Sequence, residues 1–233
     1  MCIEKRMLLA TLNRISTAVA TDRPGLAQQR RKSVMKPALK YAVALSVISS
    51  LWVADGANAA EPYTLQYTAE GELIRPADGA WREWIYVGAP VTPNALNDGS
   101  APFPEIHSVY IEPKTWTHYK KTGAFMEGAI IAKELSLVRA PDGANADGST
   151  NEVSGTGYFM GEYSGFEITV KSKTRYPDEP GNWAYYSFGH HGPPYAMTAA
   201  LEPVAACNAC HEAAADDDFV FTQFYPVLRA AKP

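Results

Sequence analysis

Near its C-terminus the chain reads "CNACHEAAADDDFVFTQFYPVLRAAKP", which sets Cys207, Cys210 and His211 in C-x-x-C-H spacing. Two thiols one helical turn apart, with a histidine directly behind them, suit four kinds of chemistry. They can hold a haem covalently, clip a metal, cycle as a redox dithiol or close a structural disulfide. The haem reading fits best, because both thiols can add to the haem vinyl groups while the adjacent imidazole reaches the iron. A zinc site wants four ligands, commonly two such pairs, and the sequence holds no second pair. A thioredoxin-like dithiol follows a βαβ strand, whereas "TAALEPVAAC" leads into this one in a largely antiparallel chain. A disulfide across three residues is permitted but has no use for the histidine.

The other side of the iron decides what such a haem does. No methionine follows His211; Met126, Met160 and Met197 all lie upstream. A motif so near the C-terminus, with no obvious downstream ligand, predicts five-coordinate iron with an open face, which binds or transforms small molecules. Strand alternation in "GAIIAKELSLV" sets Lys133 in a row with Ile131, Leu135 and Leu137. A lysine there is costly to bury unless it is neutralised or bonded. Periodicity alone favours an edge-strand lysine whose stem snorkels to water. "EIHSVYI" sets His107 beside Val109 and Ile111, where a hydrogen-bonded core histidine is commoner than a ligand. Glu167 falls on the polar face of "GFEITVK" with Thr169 and Lys171, so nothing in the pattern marks it. His190 and His191 read as loop histidines, and His118 as a packed or solvent-facing helix residue.

The elements that position these residues read as one antiparallel, β-rich α+β domain. "EWIYVGAPV", "EIHSVYIE", "GAIIAKELSLV", "GYFMGEY", "GFEITVK" and "WAYYSFG" are strands, rich in β-branched and aromatic residues and bounded by Gly, Pro or Asn. "PKTWTHYKKTG" is a short helix with Pro113 in its first turn and Gly123 after its end. "APDGANADGSTNEVSGTG" reads as a loop. In the tail, Phe221, Phe224, Tyr225 and Leu228 follow helical spacing, with a kink or second start expected at Pro226. Short helices and a helical C-terminus that carries the haem motif complete the fold.

The N-terminus points to export. From Met35, a basic start with Lys36 and Lys40 leads into an apolar stretch from Tyr41 to Ala54 and a small-x-small site at Ala57-Asn58-Ala59. That is the pattern of a cleaved signal peptide over 35–59, too short and wrongly flanked for a membrane span. Residues 1–34 are basic and unpatterned, read as an upstream start or an extension of the signal that is absent from the mature protein. Nine of the 21 basic and three of the 25 acidic residues lie in 1–59, which leaves 60–233 with 12 basic and 22 acidic residues. Such an acidic exported domain, of about one domain's length, is a poor partner for nucleic acid or anionic membrane and suits a basic soluble one.

The stretches "REWIYVGAPVTPNALNDGSAPFPEI", "YKKTG", "AKEL", "GYFMGEYSGFE", "EPGNWAYYSF" and "CNACHEAAADDDFVFTQFYPVLRAAK" resemble cytochrome P-460, a family of periplasmic mono-haem enzymes. The likeness covers nearly all of 60–233. It implies a homodimer that oxidises hydroxylamine to nitrous oxide, with nitric oxide or nitrite as other products, and passes electrons to a soluble periplasmic cytochrome c. It also implies a haem c held through Cys207 and Cys210, His211 on the iron, and a further covalent bond from Lys133 to the haem ring. Glu167 matches the family's distal carboxylate. His107 falls where the nitrifier form carries arginine, a departure that bears on rate and pH profile more than on reaction class.

Two rival functions follow from other features. The related cytochromes c′-beta lack the lysine bond and bind nitric oxide in an apolar pocket, which Lys133, Glu167 and His107 speak against. A plain electron carrier needs a sixth protein ligand, from His107, His118, His190, His191 or an upstream methionine, and nothing singles one out.

Overall fold

The computed structural model describes residues 62–140 and 143–233, so the expected signal peptide and the segment before it lie outside the described residues. In chain order the elements are β1 (Gln66–Tyr67), β2 (Leu73–Ile74), β3 (Ile85–Gly88), β4 (Ile106–Ile111), α1 (Pro113–Thr122), β5 (Ile130–Val138) and β6 (Thr150–Glu152). They continue with β7 (Gly155–Gly157), β8 (Met160–Lys171), β9 (Trp183–Ser187), β10 (Thr198–Ala199), α2 (Asn208–Ala214) and α3 (Pro226–Ala231). The main sheet runs β3-β4-β5-β8-β9, antiparallel throughout. A small sheet of β1, β2 and β10 and the β6–β7 hairpin stand beside it. The architecture is the expected α+β one, dominated by antiparallel sheet.

β5 is the central strand of five, so Lys133 is not on an edge. The edge reading fails because strand order depends on pairings between distant segments, here Lys133 with Val109 on one side and Glu167 on the other. Both faces of this sheet are covered. Ile130, Ala132, Phe166, Ile168 and Tyr186 face one core with Trp81 and Trp84. Val109, Ile131 and Tyr185 face the other with Tyr119, Phe125 and Leu228. A sheet buried on both faces needs apolar residues at successive positions, which is why "WAYY" in β9 is buried throughout.

The two segments read as separate strands, "GYFMGEY" and "GFEITVK", are joined from Met160 onward in the single 12-residue β8, while Gly157 ends β7. The ladder to β5 shifts register on either side of Ser136. Gly165 fits there because a Cβ would come within 3.1 Å of Leu135 Cδ1 and 3.2 Å of the Gly189 carbonyl. The expected loop over 140–157 contains the β6–β7 hairpin, whose Gly, Ser and Thr composition conceals it.

Helix α1 forms as its caps predict. The Glu112 carboxylate accepts from the Thr115 backbone N–H at 2.8 Å, Pro113 takes the first turn, and Gly123 ends the helix at φ 72°. At the C-terminus the helix starts at Pro226, and Thr222–Phe224 before it is a single 3₁₀ turn. Tyr225 and Leu228 are buried as expected, but Phe224 is exposed and stacks on Phe221 instead of completing one apolar face.

Candidate functional site

The cysteine motif is set at the start of a short helix. Cys207 occupies the N-cap of α2, and the His211 N–H donates to its carbonyl. Asn208, fully buried between the two cysteines, donates from its side-chain amide to the Trp183 carbonyl at 2.7 Å and so ties α2 to β9. Cys207 and Cys210 are both free thiols. Burial, reinforced by the Glu167 and Glu202 charges, pushes the Cys207 thiol up to about 11.

His211 sits between two rings, Tyr185 at 4.6 Å and Phe221 at 4.7 Å between centroids. Its Nδ1 lies 2.7 Å from the Phe219 carbonyl, an atom that only accepts, so Nδ1 carries the proton and Nε2 keeps its lone pair. Burial lowers the pKa of this imidazole, and the Lys133 charge adds to that effect; the Phe219 carbonyl and Glu167 oppose it. A neutral imidazole with its second nitrogen fixed by a backbone carbonyl is the form that ligates a metal.

A cavity of about 460 Å³ opens beside this motif and collects residues from distant parts of the chain. Cys207, Cys210, His211, Lys133, Glu167 and His107 all line it, so the cysteine motif and the residues that the family resemblance singled out meet there. Lys133 and Glu167 are directly paired across β5 and β8, with Nζ 2.6 Å from Oε2. The face of β8 that looked polar and unmarked is the cavity face. Lys133 Nζ also lies 4.3 Å from the centre of the Phe103 ring. His107, on β4 opposite Leu135, places Nε2 2.7 Å from the Phe103 carbonyl and 3.2 Å from Thr92 Oγ1. It is thus both the hydrogen-bonded histidine that alternation favours and a wall of the cavity. Burial lowers its pKa, with Lys133 acting in the same direction and the Phe103 carbonyl and Glu167 against it.

Of the other histidines, His190 lines the cavity, its Nε2 3.9 Å from Glu167 Oε1, whereas His118 and His191 do not. None of the three upstream methionines lines it either. Sequence reasoning passed over Phe103, Glu202 and Asn208. Phe103 lies in a proline-flanked loop, Glu202 in an irregular segment before the motif, and Asn208 at a position where the motif accepts any residue. None of the three carried a signal in the sequence, since the amide of Asn208 needs a partner only because the fold buries it.

These residues suit a covalently held haem. Two unpaired thiols stand one turn apart, the imidazole presents a free nitrogen, and the cavity walls are largely aromatic and aliphatic, with Lys133, Glu167, His107 and Glu202 among its charged or titratable members. The family model for cytochrome P460 matches residues 79–222, from the turn that leads into β3 to the residue after Phe221. No curated protein matches the chain. The matched segment spans more than half of the 233 residues and includes the cavity's strands, the cysteine motif and its histidine, so the chain belongs to the cytochrome P460 family of haem-protein oxidoreductases.

Proposed function

We propose that this protein is a periplasmic c-type haem enzyme that oxidises hydroxylamine to nitrous oxide, with nitric oxide or nitrite as competing products. Cys207 and Cys210 hold the haem through thioether bonds, His211 ligates its iron, and Lys133 forms an additional bond to the ring. The observation that carries this reading is the Lys133–Glu167 pair, 2.6 Å apart in the same cavity as both thiols and His211. A pocket that only bound a neutral gas would have no use for a charged pair beside its ligand.

When bound, the haem would supply the redox chemistry for removing electrons from the substrate. The chain's own residues supply the rest. His211 offers Nε2 because the Phe219 carbonyl holds its other nitrogen. Lys133, once part of a carbon–nitrogen bond to the ring, no longer has to keep an ammonium charge next to an aromatic wall. Glu167 then acts as a proton acceptor for substrate N–H and O–H groups instead of serving only as an ion-pair partner. His107 stays neutral near neutral pH, since burial lowers its pKa, and orients polar ligands by a hydrogen bond. Phe221 packs against the His211 ring and Phe103 lies over Lys133. Electrons leave to a soluble cytochrome c steered by the acidic surface of 60–233, and the enzyme works as a homodimer in the periplasm.

The test is a peptide mass map of the haem-loaded protein. One haem bridging the Cys207–Cys210 peptide and the Lys133 peptide is the expected result. A haem held by the two cysteines alone would remove the oxidase reading. The Phe103 ring over Lys133 favours a second one in that event, a c′-beta-like nitric oxide binder, and gas affinity would then be the quantity to measure.

A further inference from the structure

The acidic run Asp216-Asp217-Asp218 after the haem motif takes no part in the cavity, yet it leads into a tightly constrained turn. Asp218 and Phe219 both hold left-handed backbone, φ 47° and 61°, which residues with side chains adopt only when the surroundings enforce it. Three contacts enforce it here. Lys171 Nζ at the end of β8 pairs with Asp218 Oδ2, and Trp183 Nε1 on β9 donates to Asp218 Oδ1 at 3.2 Å. The Phe219 ring lies over Gly181, where any Cβ would run into it. A bridge between Asp217 and Val220 closes the turn. The carbonyl presented at its apex is that of Phe219, the acceptor for His211 Nδ1 at 2.7 Å.

We propose that Asp218 is a positioning residue for His211: held by Lys171 and Trp183, it locks the left-handed turn that aims the Phe219 carbonyl at the imidazole. The clamp fixes the Nδ1–H tautomer, leaves Nε2 as the donor atom, and makes that nitrogen more electron-rich, as outer partners of ligating histidines do. It rests on the reading of His211 as the iron ligand. β8 thus carries Glu167 on the cavity side and, at its end, Lys171, which together with Trp183 of β9 forms the device that aims His211.

The variants are Asp218→Asn, which removes the charge but keeps an acceptor for Trp183, and the milder Lys171→Gln, which removes the charge but keeps a shorter polar side chain. Lys232→Ala is the control; it breaks the exposed ion pair to Asp217 in the same turn, 2.6 Å long, without touching Asp218. In the haem-free protein, nitrogen NMR of His211 is expected to show one tautomer in the wild type and the control, and a mixture in both variants. In the haem-loaded protein the iron–histidine stretching frequency falls and the midpoint potential rises. At the wild-type midpoint the ferrous-to-ferric ratio is expected to increase about tenfold, taking the lower end of the effect that loss of an outer partner has on metal affinity, equivalent to about 59 mV for one electron. Unchanged tautomer and potential in variants that fold would overturn the proposal. So would a loss of folding in both variants, since the clamp would then be structural alone. If the wild type carries no haem, the proposed function fails while the tautomer measurement still decides the clamp.

Discussion

Lys133 and Glu134 are neighbours in β5 and point to opposite faces of one sheet, and each belongs to a carboxylate–cation pair built in its own way. Glu134 has no exposure at all. Arg82 grips it with two hydrogen bonds of 2.8 and 2.6 Å, and the Tyr195 hydroxyl donates a third at 3.0 Å. Arg82 itself lies over the Tyr163 ring at 4.2 Å. The Lys133–Glu167 pair has a single short contact, and its side chains are 23% and 21% exposed toward the cavity. A buried carboxylate whose lone pairs are filled is a fixed part of the core. One with an oxygen uncommitted on a cavity wall remains available to substrate. The same pair chemistry serves the fold on one face and, in the proposed function, reaction on the other, and the difference lies in how many hydrogen bonds are left unmade.

The contrast predicts that the two pairs respond oppositely to disruption. Arg82→Met keeps the stem but leaves Glu134 buried with Tyr195 as its remaining partner. Breaking a buried pair costs ~3–5 kcal/mol, and since the Arg82 side chain is 38% exposed, the lower figure is expected. Thermal or urea denaturation of the haem-free protein measures it, and the spectrum of loaded protein stays as in the wild type. A loss below about 1 kcal/mol, the range of exposed pairs, would erase the distinction between the faces.

Glu167→Gln should show the reverse. Removing a positioned proton acceptor lowers the rate of hydroxylamine oxidation by roughly 100-fold or more. Because the pair is partly solvated, stability changes by less than about 1 kcal/mol. A variant that loses stability while retaining its rate would make Glu167 a second Glu134.

A pH series separates the faces further. His107 faces Lys133 and Glu167 across the cavity side of the sheet, and burial lowers its folded-state pKa below the ordinary value. Between that lowered value and about 6.5, the unfolded chain binds more protons than the folded one, so stability rises with pH through this window. The contribution is complete above the unfolded value and lost as pH falls through the folded one. His211, also lowered, adds the same slope in haem-free protein, so the measurement belongs to the loaded form, where the proposed bond to iron would occupy His211. His107→Gln should flatten the wild-type slope there; an unaltered slope would place the titration elsewhere.

Much of this arrangement is legible in the sequence, and the parts that are not share a cause. The haem motif, the caps of α1 and the strands of the main sheet depend on residues close in the chain. The partnership of Lys133 with Glu167 does not, because it needs the β5–β8 register, and alternation within "GFEITVK" sees only a polar face. Strand order likewise turned the supposed edge lysine into a central one. The β6–β7 hairpin escaped because its strands, "TNE" and "GTG", have no β-rich composition. The helical face drawn through Phe221 and Phe224 broke because Pro226 starts the helix later, leaving those two rings to stack on each other.

A small effect on stability, within the same bound as at Glu167, is expected at Lys133, and it is the one that ties both faces together. Lys133→Met keeps a stem of similar length against Phe103 and removes the ammonium. The lost ion pair is partly solvated, so haem-free protein should change in stability by less than about 1 kcal/mol, even though the substitution is one residue from Glu134. Loaded protein should carry its haem through the two cysteine bonds alone, and a mass map would show the β5 peptide of the variant free of haem. If the variant instead unfolds as readily as Arg82→Met, then Lys133 holds the sheet together as Arg82 does, and its place in the cavity is incidental to the haem.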